Sequence, residues 1–184
     1  MTDYFGTNHV FTSRNSSANI TLKAGVGETL LIEGALNGTG LTNNRALSGY
    51  YSLVPAATTL TVNTWTKMAG TTTVDSHNFK FTETDNRLTY TGTISGIFFI
   101  SYSVALTGGN NNNIELGISK NGATPNPSSV IIGTTTSGGD LLPLAASCHI
   151  DLITGDYIEC FVRNTTGSAN ITHSRLTVSV LGLF

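Results

Sequence analysis

The amino-acid sequence predicts an all-β chain folded as an antiparallel sandwich, with a short glycine-punctuated segment in front of it. Two observations carry that fold class. Apolar residues alternate with polar ones at period two from residue 60 to the end, and no window of helical length holds an apolar stripe at i, i+3, i+4 and i+7 free of Gly and β-branched runs. Charged residues make up only 11% of the chain, so solubility rests on Thr, Ser, Asn and Gly, whose short side chains suit sheet surfaces and turns rather than helices.

The predicted strands, in order, are 59–65, 78–82, 87–90, 96–107, 113–120, 130–135, 140–152, 157–164 and 171–183. The first follows the alternation Leu60-Thr61-Val62-Asn63 up to Trp65, the single tryptophan, which reads as sitting at the edge of the head against the core or a neighbouring subunit, with core packing preferred. Between 113–120 and 130–135, Asn121-Gly122 supplies the left-handed conformations of a tight turn. Between 140–152 and 157–164, Thr154-Gly155-Asp156 fits a hairpin turn with a glycine bulge. Alternation in that hairpin sets Cys148, Ile150 and Leu152 on one face with Ile158, Cys160 and Val162, and turns Asp151 and Glu159 outward. Both cysteines are then small core residues, and two are too few for a disulfide framework.

The first 50 residues differ. Asn19-Ile20-Thr21-Leu22 and Thr29-Leu30-Leu31-Ile32 are short apolar bursts punctuated by Gly25, Gly27, Gly34, Gly38 and Gly40, a pattern too thin for a core of its own. Short strands of this kind are expected to wind around equivalent strands of two other chains, as an anchor or a stub of shaft. Residues 34–51 read as a connector, so the expected division is an attachment segment at 1–50 and a head at 51–184.

Nine Lys and Arg against eleven Asp and Glu give neither nucleic-acid binding nor adhesion to an anionic membrane a basis in composition. A surface so sparing of charge is expected to be covered in part by copies of the chain. Residues 1–10 hold no basic stretch followed by an apolar run, and a virion surface is the expected location, reached from the host cytoplasm. His9, His77, His149 and His173 lack metal-ligand spacing, and no nucleophile elbow or phosphate-binding loop is present. No enzyme activity, metal or cofactor is expected.

Three motifs stand in order along the second part: Gly96-Ile97-Phe98-Phe99-Ile100-Ser101-Tyr102-Ser103-Val104, then Ile118-Ser119-Lys120-Asn121-Gly122, then Leu152-Ile153-Thr154-Gly155-Asp156-Tyr157-Ile158. With the apolar strand ending in Phe184, residues 60–184 resemble the jelly roll shared by the complement globular head and tumour necrosis factor families. The resemblance implies two sheets and a threefold-symmetric homotrimer with apolar residues of one sheet near the axis, for which Phe98, Tyr102, Phe161 and Leu183 are the candidates. The charge-poor head behind a glycine-punctuated stub is similar to phage and large-virus fibre heads and capsid decoration proteins.

The expected function is that of a virion structural protein anchored to a capsid or tail through residues 1–50. The alternative is a receptor- or glycan-binding fibre tip. The candidate contact loops are Asn110, Asn111, Asn112 and Asn113, whose amide oxygens suit sugar or calcium but which read first as a flexible tip, and Thr135, Thr136 and Ser137.

Overall fold

Period-two burial organises the chain into two facing sheets. The structure, a computed structural model, describes residues 45–183 apart from 75–78 and 138, and the side chains of Arg45 and Leu183 are outside the description. The expected shaft or anchor therefore lies, up to residue 44, outside the described residues.

Twelve strands form among the described residues: β1 Arg45–Ser52, β2 Ala56–Thr58, β3 Thr66–Lys67, β4 Thr73–Val74, β5 Phe81–Glu83, β6 Arg87–Tyr90, β7 Gly96–Thr107, β8 Asn113–Lys120, β9 Ile131–Thr134, β10 Leu142–Leu152, β11 Tyr157–Asn164 and β12 Ile171–Leu183. The first sheet runs β10-β7-β12-β1-β4, with β2 also on β12; the second runs β5-β6-β11-β8-β9, with β3 also on β11. All pairings are antiparallel. The helical content among the described residues is a single 3-10 turn, Pro127–Ser129, capped by the Asn126 side chain.

Alternate residues of the long strands meet between the sheets. Phe98, Ile100 and Leu106 of β7, Leu116 and Ile118 of β8, and Ile158 and Val162 of β11 are wholly buried. Each such side chain contributes about 1.5–3 kcal/mol of transfer free energy. Phe81, Tyr90 and Phe98 add edge-on and tilted ring contacts at 4.8–5.8 Å at one end of the core.

Several expectations are corrected by the pairing. The described strands begin at Arg45, inside the stretch read as connector. Residues 45–52, read as connector, are a central strand, because β1 pairs over its whole length with β12 at the far end of the chain. The predicted strand 59–65 is a looped crossing between β2 and β3, turned by Asn63 at positive φ. The predicted strand 78–82 is the three-residue β5 at 81–83, preceded by an isolated bridge between Phe79 and Leu47.

The predicted hairpin at 153–156 is instead a crossover between sheets, since β10 pairs with β7 whereas β11 pairs with β8 and β6. Cys148 and Cys160 do face the core, from opposite sheets, as free buried thiols. Glu159 does point away from the core but is covered, at 3% exposure, by Lys67 and Arg87.

Candidate assembly face and loop end

The two sheets present different outer faces, and the difference is one of charge. On the second sheet the outward charged residues of β3, β6, β8 and β11 are closed into ion pairs, with Phe161 and the exposed Ile132 as their apolar neighbours. Glu159 meets Lys67 at 2.9 Å and Arg87 at 3.0 Å, Arg163 forks onto Glu115, and Arg87 and Arg163 lie over the rings of Tyr157 and Trp65 at 3.8 and 4.6 Å. Trp65 is half-buried there, on the second sheet's outer side.

The first sheet's outer face is built from registered rows. Bridge and ladder pairings align Phe79, Leu47, Leu181, Phe99 and His149 across the sheet. Phe79, Leu47 and Phe99 remain 44%, 40% and 41% exposed, and the ring of His149 leans on Phe99 at 5.5 Å. The next row holds only small residues, Gly49, Ser179, Ser101 and Ser147; the one after it holds Tyr51, Thr177, Ser103 and Ala145. Ile97 stands exposed beside Phe99. An apolar row next to a flat row of glycine and serine lets a second backbone approach closely, and exposed apolar patches of this kind mark interaction sites.

Of the four axis candidates, Phe98 and Tyr102 are corrected: both are buried within the chain's own core, and Tyr102 donates its hydroxyl to the Ser129 carbonyl. Phe161 points outward from the second sheet, so it shares no face with the first. Leu183 has its backbone in the first sheet opposite Arg45, and its side chain lies outside the description. The large apolar residues that do stand on the first sheet's outer face are Leu47, Phe79, Phe99 and Leu181. The available signal was that Ile97, Phe98, Phe99 and Ile100 are all apolar, which marks a strand covered on both faces.

Two sequence motifs meet at the end where β1 begins. The carboxylate of Asp156 accepts from Asn121 Nδ2 at 2.7 Å, from Lys120 Nζ at 2.7 Å and from the Ile153 N–H at 3.0 Å. Asn121 in turn accepts from the Tyr157 N–H at 2.9 Å. Burial opposes ionisation of Asp156, but these donors outweigh it and hold its carboxyl below the usual range. The Lys-Asn-Gly and Gly-Asp motifs are thus one clamp between the two sheets.

The opposite end gathers the loops after β7, β9 and β11, as the registers Leu106↔Leu142, Asn113↔Thr134 and Ile114↔Asn164 require. Asn112 and Thr135 are buried and exchange bonds: the Asn112 N–H donates to Thr135 Oγ1 and the Thr135 N–H to the Asn112 carbonyl, both at 3.0 Å. Asn113 opens β8, and its N–H donates to Thr166 Oγ1 at 2.9 Å. These three are framework, which corrects the reading of a free tip, while Asn110, Asn111, Thr136 and Ser137 are exposed at the same end. Among the described residues no group of three His, Cys, Asp or Glu could hold a metal ion.

This two-sheet order has a counterpart of known structure. The structure of Eiger TNF from S. frugiperda matches with a TM-score of 0.54 at 9% identity, over 77% of this chain and 94% of that one. The fold is the tumour necrosis factor jelly roll. The globular domain of zebrafish complement 1qA also matches, with a TM-score of 0.44 at 9% identity over 76% of this chain and 97% of that one. No family model and no curated protein matches the sequence. In the TNF-like frame, the apolar rows lie on the sheet that holds both the first and the last strand of the head.

Proposed function

We propose that the protein is a non-enzymatic homotrimer whose heads associate through the outer face of the first sheet, and that it serves as a surface component of a virus particle. The observation that carries the assembly reading is the apolar row Phe79, Leu47, Leu181 and Phe99 beside a flat row of Gly49, Ser179, Ser101 and Ser147. The charges at the middle of the second sheet's outer face are already paired, whereas the two adjoining rows of the first sheet carry no charged residue, and that contrast favours the first face for association. The TNF-like fold supports a threefold arrangement, as the sequence resemblance implies.

The virion role is supported by the charge-poor composition and by the weak apolar bursts of the N-terminal segment, which suit attachment to a capsid or tail rather than independent folding. Light scattering on the full chain and on a chain lacking residues 1–42 tests both parts. Three chains per particle in each case, with capsid or tail binding lost on deletion, is the expected result. A monomer rejects the assembly reading, and a truncated head that still binds particles rejects the attachment reading.

A second reading is favoured by one observation. Asn110, Asn111, Thr136 and Ser137 are exposed at the end of the sandwich opposite the start of β1. They are the residues through which a fibre tip would engage a host glycan. A glycan array with no signal above background, repeated with calcium, rejects it.

A further inference from the structure

Residues 53–74 leave the first sheet after β1, return briefly as β2 on β12, and cross to the second sheet at β3. Its far end is tied to β11 by the β3 ladder, by the Asn63 N–H bond to the Asn164 carbonyl at 2.7 Å and by the Lys67–Glu159 ion pair at 2.9 Å, and a few further bonds hold the rest. The Ala69 N–H donates to Thr58 Oγ1, the Met68 N–H to the Cys160 carbonyl, and the Leu60 N–H to Asn170 Oδ1, each at 3.0 Å. Asn86 Nδ2 donates to the carbonyls of Met68 and Gly70 at 3.1 and 2.9 Å.

Beneath it lies His173. The residue is 0% exposed, and among the described residues neither ring nitrogen has a hydrogen-bond partner. Its ring fits against Gly70 so closely that a Cβ there would stand 3.0 Å from Cε1 and 3.2 Å from Nε2, and Gly70 has φ +121°, a conformation that favours glycine. Across the ladder its neighbours are Ala56 of β2 and Leu106 of β7, neither of which titrates. On its own strand Arg175 is exposed beyond a bulge. Glu83, beside Asn86, accepts from the Thr72 hydroxyl at 2.6 Å and the Asn86 N–H at 3.0 Å. Burial alone lowers the pKa of His173, and no charged group contributes.

We propose that residues 59–72 form an acid-opened strap and that His173 is the group that releases it. A neutral imidazole is tolerated under the strap, whereas an imidazolium there has two N–H donors, no acceptor and no counter-charge. Opening lets water reach the ring. The open form then takes up one proton at the ordinary histidine value of about 6.5, and the closed form does not. The open fraction rises as pH falls below about 6.5, by up to roughly 30-fold between pH 7.5 and pH 5.0.

The experiment is hydrogen exchange on the full chain at pH 7.5, 6.0 and 5.0, with protection factors corrected for intrinsic rates. The expected result is a fall of about 30-fold in the protection of 59–72, while β7 and β8 keep theirs. His173→Leu and His173→Gln are expected to abolish the pH response. Strap protection that changes less than twofold in the wild type, or an acid response retained in both variants, overturns the proposal. If neither variant folds, the wild-type ring decides by NMR titration. A His173 that ionises near 6.5 with the strap still protected overturns the proposal, and one that ionises together with strap exchange supports it.

Discussion

Phe99→Ala is the sharpest perturbation of the proposed assembly face. The side chain stands on the outer surface of β7 and is 41% exposed in the single chain, so its removal leaves the monomer's core untouched. An aromatic side chain presents about 200 Å², so some 80 Å² of Phe99 awaits cover in each subunit. At about 25 cal/mol per Å² this is about 2 kcal/mol per subunit, or about 6 kcal/mol for a closed trimer. Because three chains combine, half of that appears in the concentration at which the trimer half-dissociates, a shift of roughly a hundredfold. Sedimentation velocity over a dilution series reads that concentration directly. Phe161→Ala, on the outer face of the second sheet, is the matched control and should leave it in place. An unchanged midpoint for Phe99→Ala, or an equal shift for Phe161→Ala, would refute the assignment of the face.

Other outcomes follow from single contacts. Gly117→Val should lower stability by about 1–3 kcal/mol in urea denaturation, because a Cβ there lies 2.8 Å from Pro125 Cβ and 3.2 Å from Val130 Cγ2; wild-type stability would refute the overpacking. Asp156→Ala should cost about 1.5–3 kcal/mol at pH 7, since it removes three donors' acceptor in the clamp between the sheets. A carboxylate held below its usual pKa of about 3.9 stabilises the fold above that pH and loses the effect as pH falls through its lowered value, so the gap between wild type and variant should close in acid. Burial pushes the Cys148 thiol up to about 11 and that of Cys160 higher still. Iodoacetamide at pH 8 should therefore leave both unmodified in the native protein and label both in guanidinium, as read by mass spectrometry.

How much was legible in the sequence varies with the range of the cause. The strands at 87–90, 96–107, 113–120, 157–164 and 171–183 were legible to the residue, because alternation and flanking turn chemistry are local. The jelly roll was legible in the order of three motifs, although no one of them specifies more than a turn. The Asn121-Gly122 turn was legible too, and both residues take the positive φ that the pair is suited to. For the candidate loops, composition picked out residues that meet at one end of the sandwich but not which of them face solvent. Asn112 and Thr135 are interior because loops from three strands bond to one another there.

What the sequence by itself determined is the class of fold, the long strands and the sparing use of charge that points to association. Only the tertiary structure decided that 45–52 is a central strand, that 153–156 crosses between sheets, and that Phe99 rather than Phe98 faces out. The physical reason is common to all three. A strand's partner and the face it buries depend on residues tens to more than a hundred positions away, as β11 depends on β8 and β1 on β12. In a run such as Ile97-Phe98-Phe99-Ile100, apolar on both faces, alternation leaves the choice of face to the sheet that packs against it.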